Sequence, residues 1–277
     1  MSELAIAVVV VCRDSEEAID ACLARLRAAE GVAEIRVVDC NSRDTTLAIV
    51  QRHALADARL RFIANPDDPG HGAACNQGVA ACRAPWLALL DPGCLIEPDA
   101  LMRLRELAAR DDALVGASQI DEAGMVAPDA RLAPSRAGEQ GDWRWLGFAP
   151  IAESDQDLQD VAAVAGAAVL LSRERFEALG GFDPAYASGI ALLDLCRRVH
   201  AAGTPIACAS AVRITHVRGL LARAHPLSLA WRSRIDASRY LWRHHPHAVA
   251  ARAWLRIWAS LPWELLRVLV RGGGWVS

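Results

Sequence analysis

Lysine is absent from this 277-residue chain: all 30 basic residues are arginine, for which genomic GC bias is the plain explanation. No C-x-x-C pair occurs among the eight cysteines, at 12, 22, 40, 75, 82, 94, 196 and 208. That spacing offers no zinc site, and cysteines set in apolar runs behave as small buried hydrophobes of a reducing, cytoplasmic compartment. The longest uninterrupted apolar or glycine runs, 4–12 and 161–171, fall short of the roughly 18–20 residues that a membrane span needs. Glu3 stands where a signal peptide would carry a basic region, so none is expected. A Walker A sequence is missing, as is G-x-G-x-x-G after the first apolar run, which excludes the commonest phosphate-binding loops. Apolar residues make up 53% of the chain and charged ones 23%, a balance that excludes disorder.

What is present is unevenly placed. Net charge is −3, yet residues 213–277 hold 11 Arg against Asp236 and Glu264, a local +9, and residues 1–212 carry −12. Such asymmetry points to a tail that meets an anionic surface. Six of the nine tryptophans (231, 242, 254, 258, 263 and 275) lie in the same tail. There Trp254, Leu255, Trp258, Leu261, Leu265, Leu266 and Leu269 recur at helical spacing, flanked by Arg252, Arg256, Arg267 and Arg271. A helix of this kind lies on an anionic bilayer without crossing it, which would place the chain peripherally on the inner face of the cell membrane. Packing of the stripe on the rest of the protein, or on a second subunit, is the alternative. Nucleic acid is set aside, because Trp and Leu form a continuous stripe instead of isolated stacking platforms.

The rest of the chain reads as an α/β domain. Leu4–Cys12 and 34–39 are buried strands by their β-branched content, and 59–64 is a third, more exposed one. Between them, Asp14 and Glu17 have the spacing of a capping box that opens a helix, and Asp44 is placed to cap the next. This β-α-β-α-β rhythm predicts a doubly wound, mostly parallel sheet flanked by helices. The stretch 65–93, N-P-D-D-P-G-H-G-A-A-C-N-Q-G-V-A-A-C-R-A-P-W-L-A-L-L-D-P-G, predicts a loop, a helix over about 73–83 and a buried strand closing on Asp91. Ligands of open α/β sheets bind outside the carboxyl ends of the strands, which is where Asp91 falls. Further on, 161–172 predicts one strand region, 205–209 and 212–216 two short ones, and the chain from Pro226 is helical and basic.

Four segments in this order resemble the family 2 glycosyltransferases, which have a GT-A fold: V-V-D-C-N-S-R-D-T-T, the 65–93 stretch, A-V-L-L-S-R-E-R-F-E-A-L-G-G-F-D-P-A-Y, and the V-x-H-like approach to His216. The resemblance covers roughly 4–216. It implies a GT-A domain over 1–217 followed by a basic, Trp-rich helical extension over 218–277. It also implies transfer of a sugar from a nucleotide-diphosphate sugar, UDP-type by default, to a glycan or lipid-linked acceptor. A catalytically impaired homologue that binds a nucleotide, lipid or partner is the alternative. Nucleotide contacts are implied at Cys12, Arg13, Asp14, Asp39, Asn41, Gly72, Asn76 and Asp91, and a Mg²⁺ or Mn²⁺ ion, incompletely held, at Asp91 and His216.

Two positions depart from the family pattern. Gly93 stands where a second acid is expected, and Ala191-Leu192 stand where the family has its Glu-Asp pair, the source of the general base. Replacing Gly93 by Asp, which restores the acid pair, is expected to raise metal dependence. Asp194, two residues on, is either a displaced base or a helix-face carboxylate paired with Arg197 or Arg198. His216 is either a ligand or a half-buried strand histidine, and Asp183 caps a turn.

Overall fold

The structure is a computed structural model that describes residues 3–127, 131–134, 146, 148–263 and 266. In chain order the first elements are β1 (Ile6–Cys12), α1 (Ile19–Ala28), β2 (Val32–Cys40), α2 (Thr46–Ala56), β3 (Leu60–Asn65), α3 (His71–Ala80) and β4 (Trp86–Leu90). They are followed by β5 (Cys94–Leu95), α4 (Ala100–Asp111), β6 (Leu114–Ile120), β7 (Arg131–Pro134) and β8 (Phe148–Pro150). Then come β9 (Leu158–Asp160), β10 (Ala163–Val164), β11 (Ala168–Ser172), α5 (Arg173–Ala178), α6 (Ile190–Ala201) and β12 (Ile206–His216). The last elements named among the described residues are α7 (Leu220–Ala224), α8 (Pro226–His244) and α9 (His247–Ala259).

Among the described residues the main sheet runs β3-β2-β1-β4-β11-β6-β12-β5, with β9 added on β12. The strands from β3 to β4 are parallel, and β11 enters antiparallel between β4 and β6. β1 shows why the centre holds. Ile6, Val8 and Val10 face one core cluster while Ala7 and Val9 face the other, so helices cover the strand on both sides. Each Val or Ile so enclosed stabilises the fold by about 1.5–3 kcal/mol. The eight cysteines are buried free thiols, and burial pushes Cys22 and Cys196 up to about 12. They pack as apolar residues.

Three local expectations change. The Asp14–Glu17 capping box does not form, because α1 starts at Ile19 and has no side-chain cap. Asp14 instead takes a left-handed φ of 44° and accepts the Arg43 and Asp44 amides, at 2.5 and 3.3 Å, from the loop after the neighbouring strand. The 161–172 run breaks into β10 and β11, and the two short strands near 205–216 join into β12 through an irregularity between Ala209 and Arg213. Asp44 does accept the first amide of α2, from Thr46 at 2.9 Å.

Beyond position 217, α8 and α9 enter the same core as the sheet. Ala237, Tyr240, Ala250 and Ile257 belong to one cluster with Leu195 and Cys196 of α6. Ion pairs, and a hydrogen bond between His225 and Asp14, add to this docking. Arg223 meets Glu17 at 2.7 Å, and Arg232 pairs with Asp68 and Arg243 with Asp183. Part of the charge asymmetry of the sequence is thus neutralised inside the molecule. Of the tail stripe, Leu265, Leu269, Arg267, Arg271 and Trp275 lie outside the described residues.

Candidate functional site

The carboxyl ends of β1, β2 and β4 open on a cleft of about 230 Å³. Its floor is Val11, Cys12, Arg13, Cys40 and Asp91, and α7 with the start of α8 forms its roof through Leu220, Leu221, His225, Leu229 and Arg232. The polar wall is completed by Asp68, His71 and His216.

Asp91 and His216 meet here. β5 pairs with the end of β12, His216 opposite Cys94, and this registers the histidine over the loop that follows β4. His216 Nε2 lies 3.2 Å from Asp91 Oδ1, and its Nδ1 lies 3.3 Å from Gln119 Oε1. Both ring nitrogens thus face a side-chain oxygen, which sets the plane of the imidazole over that loop. The Asp91 side chain is 42% exposed and accepts only one close backbone amide among the described residues, that of Gly93 at 2.8 Å, so it is available to a ligand.

These are the two side chains at which the family resemblance implies a cation. Among the described residues no group of three or more His, Cys, Asp or Glu side chains is placed to hold a metal ion. Gly93 explains the gap: a Cβ there would lie 2.4 Å from the Val217 carbonyl oxygen, so the packing leaves no room for a second acid. The residues present do not make up the acid pair that the family resemblance implies.

Other expected contacts lie beside the cleft or away from it. Asp39, next to last in β2 and 2% exposed, accepts from the Ser42 hydroxyl and, at 3.1 Å, from the Ser42 amide. Asn41 follows it with a left-handed φ of 60°. Asp14 reaches the cleft only through His225. Partial burial on its own pushes the Asp14 carboxyl up, but the Arg43 and Asp44 amides and His225 outweigh it and hold it below the usual value. Gly72 and Asn76 turn the other way. A Cβ on Gly72 would lie 2.9 Å from the Asp183 carbonyl oxygen, and Asn76 bonds both the amide and the carbonyl of Phe182, at 2.9 and 2.8 Å. They fasten α3 to the loop before α6 and do not line the cleft.

The displaced-base reading of Asp194 is corrected. Its side chain is fully buried, with Oδ2 2.8 Å from Arg198 Nε and Oδ1 2.8 Å from His244 Nε2. Four residues along a helix face is the reach of an ion pair, and α8 seals the other side. Ala191 and Leu192 are likewise core residues, at 0% and 5% exposure. Asp183 accepts the Ala185 amide at 2.9 Å, as a turn cap does.

Four residues of the wall and roof were not singled out from sequence: Asp68, His71, His225 and Arg232. Asp68 lies within the quoted loop, but nothing separates it from Asp67 in the sequence. Enclosure lowers His71, against the pull of Asp91 and Asp68, and so favours its neutral form. Arg232 is one of 11 arginines of the tail and has no local signature.

The doubly covered sheet, with its cleft at the strand ends and its antiparallel β11, is that of the GT-A glycosyltransferases. GalNAc-T7, solved with UDP, GalNAc and Mn²⁺, superposes with a TM-score of 0.59 at 18% identity, over 76% of this chain and 43% of that one. The mannosyltransferase PcManGT from Pyrobaculum calidifontis, in complex with GDP-Man and Mn²⁺, does so with 0.59 at 16%, over 98% and 76%. The family described as glycosyl transferase family 2 matches residues 7–180, and the chain belongs to it. The succinoglycan biosynthesis protein ExoO of Rhizobium meliloti (strain 1021) is 37% identical over 124 residues, 44% of this chain. Escherichia coli chondroitin synthase is 38% identical over 68 residues, 24% of this chain. The matches span 34% and 10% of those two relatives.

Proposed function

We propose that the chain transfers a sugar from a nucleoside-diphosphate donor, bound in the cleft, to a glycan or lipid-linked acceptor. The observation that carries this is the meeting of Asp91 and His216, 125 positions apart, at the strand ends of a family 2 fold. Departure of a nucleoside diphosphate develops negative charge on the phosphates, and cationic and hydrogen-bonding groups fixed in a half-enclosed cleft stabilise it. The solved relatives named above were bound to UDP and to GDP-Man, and a UDP-type donor is the default here. Polysaccharide synthesis, as in the name of ExoO, is the corresponding setting. The test is calorimetric titration of the full chain with UDP, GDP and their sugars, with and without Mn²⁺. Donor binding in the micromolar to millimolar range supports the reading, and absence of binding by every nucleotide at millimolar concentration ends it.

A binding module without turnover is the second reading. It is favoured by the burial of Ala191 and Leu192 and by the sealing of Asp194, which leave the family's base position empty of carboxylate. Binding of a donor without sugar release to water or to any supplied acceptor selects it.

The membrane reading rests on the outer face of α8 and α9. Leu227, Trp231 and Trp242 are 51%, 51% and 45% exposed, and Leu255 is 61%. Tryptophans so placed suit a membrane–water interface, next to Arg252 and Arg256 for anionic headgroups. Ile257 and Trp258 of the same helix turn inward, Trp258 Nε1 donating to Ser238 Oγ at 3.1 Å, so packing takes one side and leaves the other for the bilayer.

A further inference from the structure

The diphosphate of a donor needs positive charge around it, and the packing at Gly93 closes the position from which a second acid would hold a cation for that purpose. The cleft carries arginines from opposite ends of the chain instead. Arg13 follows β1 and Arg232 comes from α8, and the Nη1 atoms of both converge on the same oxygen, Oδ2 of Asp68. We propose that Arg13 and Arg232 grip the diphosphate directly, with Asp68 as the positioning residue that holds both guanidinium groups ready.

The pairing at Asp68 favours a ligand. The pairs Arg223–Glu17 and Arg243–Asp183, which also tie the C-terminal helices down, lie outside the cleft and match one cation with one acid. At Asp68 two guanidinium groups share one carboxylate, so neither is matched by an acid of its own there, and the other acid lining the cleft, Asp91, faces His216. Donor capacity is in surplus. A guanidinium carries five N–H groups in a planar fork suited to phosphate oxygens. Among the described residues, each of these two makes a single side-chain hydrogen bond, the one to Asp68. The Arg13 Nε is buried and has no hydrogen-bond partner among them. Both side chains line the cleft and are partly exposed, 21% for Arg13 and 32% for Arg232. Asp68 need not leave for a diphosphate to bind, since the remaining N–H groups of both forks are free to donate. The grip would also make the C-terminal helix part of the donor site, because removal of α8 removes one of its two jaws.

This inference rests on the donor reading, and the experiment separates the two. The full chain is titrated calorimetrically with UDP and with GDP, and with uridine and guanosine, which lack the phosphates. With whichever diphosphate binds the unaltered chain, Arg232→Gln is expected to lower its affinity at least tenfold and to leave the nucleoside affinity unchanged. Arg13→Gln should act alike, and Arg232→Lys, which keeps the charge without the fork, should fall between. Thermal melting of each variant shows that it is folded. Diphosphate affinity of Arg232→Gln within twofold of the original, an equal loss for the nucleoside, or full recovery on adding Mn²⁺ would each overturn the grip. Failure of the unaltered chain to bind either diphosphate overturns the donor reading itself and this inference with it.

Discussion

Gly93 and Val217 lock the loop after β4 to the end of β12. The Val217 amide donates to the Gly93 carbonyl at 3.0 Å, while the Val217 carbonyl oxygen lies 2.4 Å from the point a Cβ at 93 would occupy. A carboxylate at 93 therefore cannot simply be added back, contrary to the expectation from the family pattern. Gly93→Asp should destabilise the fold by about 1–3 kcal/mol, the usual cost of overpacking, and should not increase Mn²⁺ dependence. Urea unfolding and nucleotide titration with and without Mn²⁺ check both halves. A gain in metal dependence at unchanged stability would refute the packing argument.

Asp194 is a structural carboxylate. Asp194→Ala leaves Arg198 and His244 without their shared partner in a closed site, and breaking such a buried pair costs about 3–5 kcal/mol. The expected result is a lower urea midpoint, with nucleotide affinity per folded molecule unchanged. Retained stability with lost turnover would return Asp194 to the chemistry.

Acid should loosen the C-terminal helices. Burial raises Asp14 and Asp183, but hydrogen bonds from backbone amides and from His225 and Arg243 outweigh it, so both titrate below the ordinary 3.8. Their stabilising contribution is complete above that unfolded-state value and is lost as pH falls through the lower folded values. Asp14→Asn should accordingly be less stable than the original at pH 6, with the difference shrinking toward pH 2.5. Urea unfolding across that range measures it. A difference that grows with acidity would show the sign to be wrong.

Membrane association is best tested without shortening the chain, because Ala250 and Ile257 belong to the core and truncation before them would damage it. Trp254→Gln together with Leu255→Gln alters only residues that are 38% and 61% exposed. In flotation with anionic liposomes at low salt the original chain should rise with the lipid, and the doubly substituted chain should be recovered several-fold less. Equal recovery of the two in the soluble fraction counts against the bilayer and leaves packing as the role of the stripe.

Much of the cleft floor could be read from sequence. β1, β2 and β4 are short β-branched or apolar runs bounded by turn residues, and a parallel strand covered on both faces needs that composition wherever it occurs. Asp91 and His216 follow such runs, so their positions at strand ends came with the strands. The antiparallel β11 was not legible, since the direction of a strand depends on the path of the segment before it and not on its own residues. Nor were the roles of Gly72 and Asn76, which serve a loop more than 100 positions away.

By itself, then, the sequence determined the α/β class, the order of the strands that build the cleft floor and the family pattern of their ends, because each follows from local periodicity and from residues adjacent in the chain. The tertiary structure alone decided what surrounds that floor. It buried Asp194 between α6 and α8, closed position 93 against Val217, and brought His225 and Arg232 over the strand ends to meet Asp14 and Asp68. The physical reason is the same in each case: burial and ion pairing are properties of two elements packed together, and neither element carries the geometry of the other in its own residues.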